Sequence, residues 1–100
     1  MTPARLAPAP PLLLAGNTVR LLTGFDELGP ALHAACDAAR HDIQFETYIF
    51  HDDPSAQALL DCLGRAAARG VKVRLLVDGF GSAHTLGWLI GRCRALGVSC

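Results

Sequence analysis

Ile43-Gln44-Phe45-Glu46-Thr47-Tyr48-Ile49-Phe50, and Val71-Lys72-Val73-Arg74-Leu75-Leu76-Val77 downstream of it, are the stretches whose reading decides the fold class. Both are short and rich in β-branched or aromatic residues, which fit a pleated surface better than a helix. Between them Asp53-Pro54 gives an N-cap acid with proline at the first helical position. Leu59, Leu60, Leu63, Ala66 and Ala67 then fall on one helical face, and Gly70 closes the run. Strand, helix, strand in this order predicts two parallel strands joined by a right-handed crossover.

The same alternation continues on both sides. Upstream, Val19-Arg20-Leu21-Leu22 reads as a strand, followed by Leu28, Leu32, Ala35, Cys36 and Ala39 at helical spacing. Downstream, Leu86, Leu89, Ile90, Cys93 and Leu96 line a helix that ends at Gly97, and Val98-Ser99-Cys100 begins another strand. The expected fold class is α/β, a mainly parallel sheet of repeated βα units with helices packed on it. Such a sheet needs cover on both faces, so the domain is expected to continue beyond the chain. Residues 1–15, with four prolines between Thr2 and Pro11, are expected to be a poorly ordered lead-in, and residues 16–100 the folded part.

Composition narrows the function classes. Apolar residues make up 51% and charged residues 18% of the 100 residues, which places the chain among packed proteins rather than disordered ones. Nine basic and nine acidic residues cancel, so no basic field is present to hold a nucleic-acid backbone. No apolar run approaches the roughly 20 residues that span a bilayer, and the prolines near the start break the continuous helix of a signal peptide. Cys36, Cys62, Cys93 and Cys100 are widely spaced without a C-x-x-C pair, a pattern of reduced, mostly buried thiols rather than of a zinc site.

In open α/β sheets ligands bind beyond the carboxyl ends of the strands. The polar residues expected there are Thr23, Gly24, Asp26 and Glu27, then His51, Asp52 and Asp53, then Asp78, Gly79, Phe80, Gly81 and Ser82. Asp78 either lines a cleft or braces its turn, and Ser82 is also a candidate cap for the third helix. Glu46 and Tyr48 are two apart in the strongest strand and share a face. A carboxylate in a buried strand must be paired or face a cavity, which makes Glu46 the sharpest pointer to a site, with a structural hydrogen-bond pair as the alternative reading. His33 and His41 read as surface or capping groups, His84 opens the third helix, and no His/Cys/Asp cluster has metal spacing.

Taken in order, Gly16-Asn17-Thr18-Val19-Arg20-Leu21-Leu22, the Ile43–Phe50 strand, Asp52-Asp53, Ala66-Ala67-Ala68-Arg69-Gly70-Val71-Lys72-Val73-Arg74 and Leu75-Leu76-Val77-Asp78-Gly79-Phe80-Gly81-Ser82 resemble the beginning of bacterial cardiolipin synthases, of the phospholipase D superfamily. The resemblance implies an enzyme of two similar α/β halves, each supplying an H-x-K-x-x-x-x-D motif, with residues 16–100 the first part of one half. It implies transphosphatidylation through a phosphohistidine, with phosphatidylglycerol as the expected substrate and no cofactor or metal. It further implies peripheral contact with the cytoplasmic side of the cell membrane, no nucleic-acid partner, and Glu46, Tyr48 and Asp78 as lining of the substrate pocket.

The catalytic motif itself is absent. The residues two after His33, His41, His51 and His84 are Ala35, Ile43, Asp53 and Leu86, and Lys72 is the only lysine, so no H-x-K exists here. The 100 residues are therefore expected to be inactive alone, with no catalytic residue of that family, and to depend on a C-terminal portion of the same protein. Two other readings stay open. One is a different phosphodiesterase of the superfamily, acting as a phospholipase or nuclease. The other is a magnesium-binding receiver-like signalling domain, with acids after strand one (Asp26, Glu27) and Asp78 ending strand three.

Overall fold

The structure, a computed structural model, describes Ala7 and residues 9–100. Element order is β1 (Leu12–Leu14), β2 (Asn17–Val19), α1 (Phe25–Ala38), β3 (Asp42–Thr47), α2 (Pro54–Ala68), β4 (Lys72–Val77) and α3 (Leu86–Leu96). The chain forms two compact units, one up to Leu32 and one from His33 to Cys100, with the division inside α1.

In the first unit β1 and β2 pair antiparallel, Leu12 opposite Val19 and Leu14 opposite Asn17. The two-residue connection, Ala15 and Gly16, has positive φ at both positions (49° and 82°), the backbone that lets a two-residue hairpin follow the strand twist. This corrects two expectations. Residues 12–15 belong to a hairpin rather than to the lead-in, and the strand predicted at Val19–Leu22 is displaced to Asn17–Val19 and joins no parallel sheet. The rest of the lead-in falls largely on residues 1–6 and 8, outside the described residues.

The second unit follows the predicted pattern closely. β3 and β4 are parallel and in register from Asp42 opposite Lys72 to Thr47 opposite Val77. The expected further strand begins beside them: Ser99 bridges Arg74 in parallel, its N–H donating to the Val73 carbonyl (3.0 Å) and its carbonyl accepting from Leu75 N–H (2.8 Å). α2 is started as the sequence requires, with the Asp53 carboxylate accepting from Ala56 N–H at 2.8 Å and Pro54 in the first turn. It ends at Arg69, with Gly70 beyond at φ 93°. The Arg69 guanidinium donates to the carbonyls of Cys36 (2.9 Å) and Ala39 (3.1 Å), a side-chain cap on the carbonyl end of α1.

One face of the β3–β4 sheet carries the core. Val73 and Leu75 are buried, with Ile43, Phe45 and Val77 packed against the same cluster, and Leu60, Cys62, Leu63, Ala66, Leu89 and Cys93 from α2 and α3 cover them. Ile90, expected on the buried side of α3, is exposed. His84 lies before the helix, which opens at Leu86 after Thr85. The opposite sheet face, with Gln44, Glu46, Arg74 and Leu76, is exposed along its length. Among the described residues no helix is long and apolar enough to cross a membrane.

Candidate functional site

The parallel register sets the geometry of the site. Glu46 stands opposite Leu76 and Thr47 opposite Val77, so the next residues, Tyr48 and Asp78, both leave the carboxyl ends of the sheet. These residues line one open hollow of about 530 Å³, formed by Glu46, Thr47, Tyr48, Leu76, Val77, Asp78 and Gly79. The three residues singled out from the sequence are thus brought together at the end of the strands where an α/β sheet presents its ligands. A second hollow on the same sheet is lined by Gln44, Glu46, Arg74, Ser99 and Cys100, among others.

The reasoning that first singled out Glu46 needs correction. Its carboxylate does not lie in a buried strand, because β3 is covered on one face only and Glu46 is exposed. No burial cost therefore demands a partner for it. Tyr48, 58% exposed, also faces the open side.

Asp78 does both things its position allowed. One carboxylate oxygen, Oδ1, accepts from the N–H groups of Phe80 and Gly81, each at 2.9 Å, and the Asp78 carbonyl accepts from Ser82 N–H at 2.9 Å. The side chain thus builds the turn while lining the hollow. This turn leaves Phe80 86% exposed at its tip. Gly81 is required by close approach: a Cβ there would lie 2.7 Å from the Tyr48 carbonyl oxygen and 2.9 Å from its Cζ.

Ser82 is the residue whose role the sequence reading missed. Its side chain does not cap α3, whose N-cap residue Thr85 makes no side-chain capping bond. Buried to 2% exposure, the Ser82 hydroxyl donates to the Tyr48 carbonyl (3.1 Å) and accepts from Phe50 N–H (3.0 Å). Thr85 adds a bond from Oγ1 to the Phe50 carbonyl at 2.5 Å. Together they fasten the exit of β3 to the loop after β4. The only signal in the sequence was a small hydroxyl residue following Gly79 and Gly81.

Elsewhere, Asp26 and Glu27 occupy the first turn of α1, and the Glu27 carboxylate turns back to accept from Thr23 N–H. They are helix-start acids, and the strand before them belongs to an antiparallel hairpin, which removes the parallel first strand a receiver-like domain requires. Among the described residues no three His, Cys, Asp or Glu side chains are placed to hold a metal ion. All four thiols are free. Burial pushes those of Cys36, Cys62 and Cys93 up, to about 11 for Cys62 and about 12 for Cys93, while Cys100, against expectation, is exposed.

Neither a family model nor a solved structure matches the chain. Curated proteins do. The chain is 36% identical over 83 residues to cardiolipin synthase B of Salmonella typhimurium, 83% of this chain and 20% of that protein. It is 35% identical over the same length to cardiolipin synthase B of Escherichia coli K12. To cardiolipin synthase A of Pseudomonas entomophila it is 41% identical over 73 residues, 73% of this chain and 15% of the relative. The chain is thus related in sequence to cardiolipin synthases and spans about a fifth or less of the length of the relatives it matches.

Proposed function

We propose that this chain is the opening part of the first phospholipase D-like domain of a phosphatidyltransferase that joins phospholipids, phosphatidylglycerol by preference, into cardiolipin. The observation that carries the reading is the coincidence of two independent results. The sequence is similar to cardiolipin synthases, and Glu46, Tyr48 and Asp78 line a single hollow at the carboxyl ends of parallel strands.

In this reading Glu46, Tyr48 and Asp78 offer hydrogen-bonding groups at the rim of the substrate pocket, and none of them carries the covalent step. A histidine from outside these 100 residues attacks the lipid phosphate and forms a phosphohistidine, and a second protonates the leaving alcohol and activates the incoming one. The chain supplies no H-x-K motif, so alone it is inactive and depends on the remainder of the same polypeptide. The assembled enzyme works as a peripheral protein on the cytoplasmic membrane face.

A chimera tests this. The matched stretch of the Salmonella enzyme is replaced by the corresponding residues of this chain, and cardiolipin formation from phosphatidylglycerol vesicles is measured beside the isolated chain. Activity in the chimera and none in the chain is the expected pair of results. Turnover by the isolated chain, or a folded chimera without activity, refutes the proposal.

A further inference from the structure

Tyr48 stands one residue past the end of β3, where the β3–β4 ladder has ended, yet the segment Tyr48–Phe50 is fastened by side-chain hydroxyls. Thr47 Oγ1 donates to the Ile49 carbonyl at 3.2 Å. The Ser82 hydroxyl joins the Tyr48 carbonyl to the Phe50 N–H, and Thr85 Oγ1 donates to the Phe50 carbonyl. The Phe50 side chain, 4% exposed, is sunk in the core. The mount under Tyr48 is therefore fixed, although Tyr48 itself is in no strand.

The Tyr48 ring is seated as well. A Cβ at Gly81 would lie 2.9 Å from Tyr48 Cζ and 3.0 Å from Cε1, so the hydroxyl-bearing edge of the ring rests on the bare Cα of Gly81. Conformation does not require this glycine, because Gly81 is not among the residues at positive φ. The atoms nearest that Cβ all belong to Tyr48, so what excludes a side chain is the tyrosine. Gly81 is itself held, its N–H donating to Asp78 Oδ1 at 2.9 Å. One glycine thus ties the ring of Tyr48 to the carboxylate of Asp78, and both residues line the same hollow. A tyrosine that served the loop only as a cover would need its ring and not its hydroxyl.

We infer that Gly81 and Ser82 are positioning residues of that hollow: they seat Tyr48 so that its hydroxyl meets the polar part of the phospholipid at a fixed place beside Asp78. The inference rests on the reading of the hollow as the substrate pocket, and adds what holds the tyrosine in place there. A hydroxyl aimed in advance loses little freedom when the lipid arrives, so its hydrogen bond is available in full to the transition state. Released from the seat, the same ring turns about its Cα–Cβ bond, and the bond to substrate is made only part of the time. Gly81 and Ser82 touch no substrate themselves, and their effect on the rate passes through the Tyr48 hydroxyl.

The test is a double-mutant cycle in the chimera with the Salmonella enzyme. Values of kcat and KM for cardiolipin formation from phosphatidylglycerol vesicles are measured on the parent, Tyr48→Phe, Gly81→Ala and the pair, and a urea midpoint shows that each is folded. Tyr48→Phe keeps the ring and removes the hydroxyl; it and Gly81→Ala should each lower kcat/KM by about tenfold. Because both act through one hydroxyl, the pair should fall no further than Gly81→Ala alone. Two results overturn the inference and leave the substrate reading intact: Gly81→Ala at the parent rate, or losses that multiply to about a hundredfold in the pair. An active chimera that Tyr48→Phe does not slow overturns it as well, whereas a folded parent chimera without activity refutes the substrate reading and the inference with it. If Gly81→Ala does not fold, the same cycle is run with Ser82→Ala, and Ser82→Thr, which keeps the hydroxyl, should recover part of the rate.

Discussion

The buried Ser82 hydroxyl donates to the carbonyl of Tyr48 at 3.1 Å, so a residue inside the loop between β4 and α3 is tied to the chain just past the end of β3. The same hydroxyl accepts from Phe50 N–H at 3.0 Å, and one side chain thereby satisfies two backbone groups across 32 residues or more of sequence. Ser82→Ala leaves both without that partner, at a cost of about 1–3 kcal/mol for a buried polar group left unpaired. The check is a lowered urea midpoint together with faster hydrogen exchange at the Phe50 amide. Ser82→Thr, which keeps the hydroxyl, recovers part of the protection.

Gly81→Ala acts on the same junction from the opposite side. The added methyl meets the Tyr48 carbonyl oxygen at 2.7 Å, closer than a Cβ tolerates, and either the loop or the end of β3 must shift. Overpacking of this kind costs typically about 1–3 kcal/mol. Thermal denaturation is expected to show the loss, whereas Gly79→Ala, where a Cβ meets nothing within 4 Å, is expected to have a much smaller effect.

The buried thiols give the stability a pH dependence in the alkaline range. Burial, reinforced by the hydrogen bond to Asp37, raises the Cys62 thiol from its ordinary 9.0 to about 11. A group raised in the folded state stabilises fully below its unfolded value, and that contribution is lost as pH rises through the folded value. Urea midpoints measured from neutral pH upward should therefore fall between pH 9.0 and about 11. Cys62→Ala, although less stable at neutral pH, should show a shallower decline.

What the sequence made legible was whatever short-range pattern decides. Asp53-Pro54, Gly70 and Gly97 mark helix ends through their own backbone chemistry, and each does so in the structure. β3 and β4 carry enough branched and aromatic residues to be read without a partner. The β1–β2 hairpin was hidden because its turn uses Ala15 at positive φ, a position where glycine, asparagine or aspartate is the usual signal. The exposure of Glu46 was hidden for a different reason: alternation shows which residues share a face, but not which face the helices cover. Ser82 was unreadable because its partners, Tyr48 and Phe50, are fixed only by tertiary structure.

The most direct measurement is the rate of cardiolipin formation by the chimera carrying Glu46→Gln, Tyr48→Phe or Asp78→Asn, compared with Arg92→Ala as a control in the surface ion pair with Asp61. Each of the three changes preserves shape, and Asp78→Asn keeps an oxygen for the Phe80 and Gly81 amides. Each should lower the rate by about tenfold or more, the scale of one lost hydrogen bond of roughly 1.5 kcal/mol to the reacting lipid, while the control stays near the parent. An active chimera whose rate is unmoved by all three changes contradicts the assignment of the hollow to the substrate.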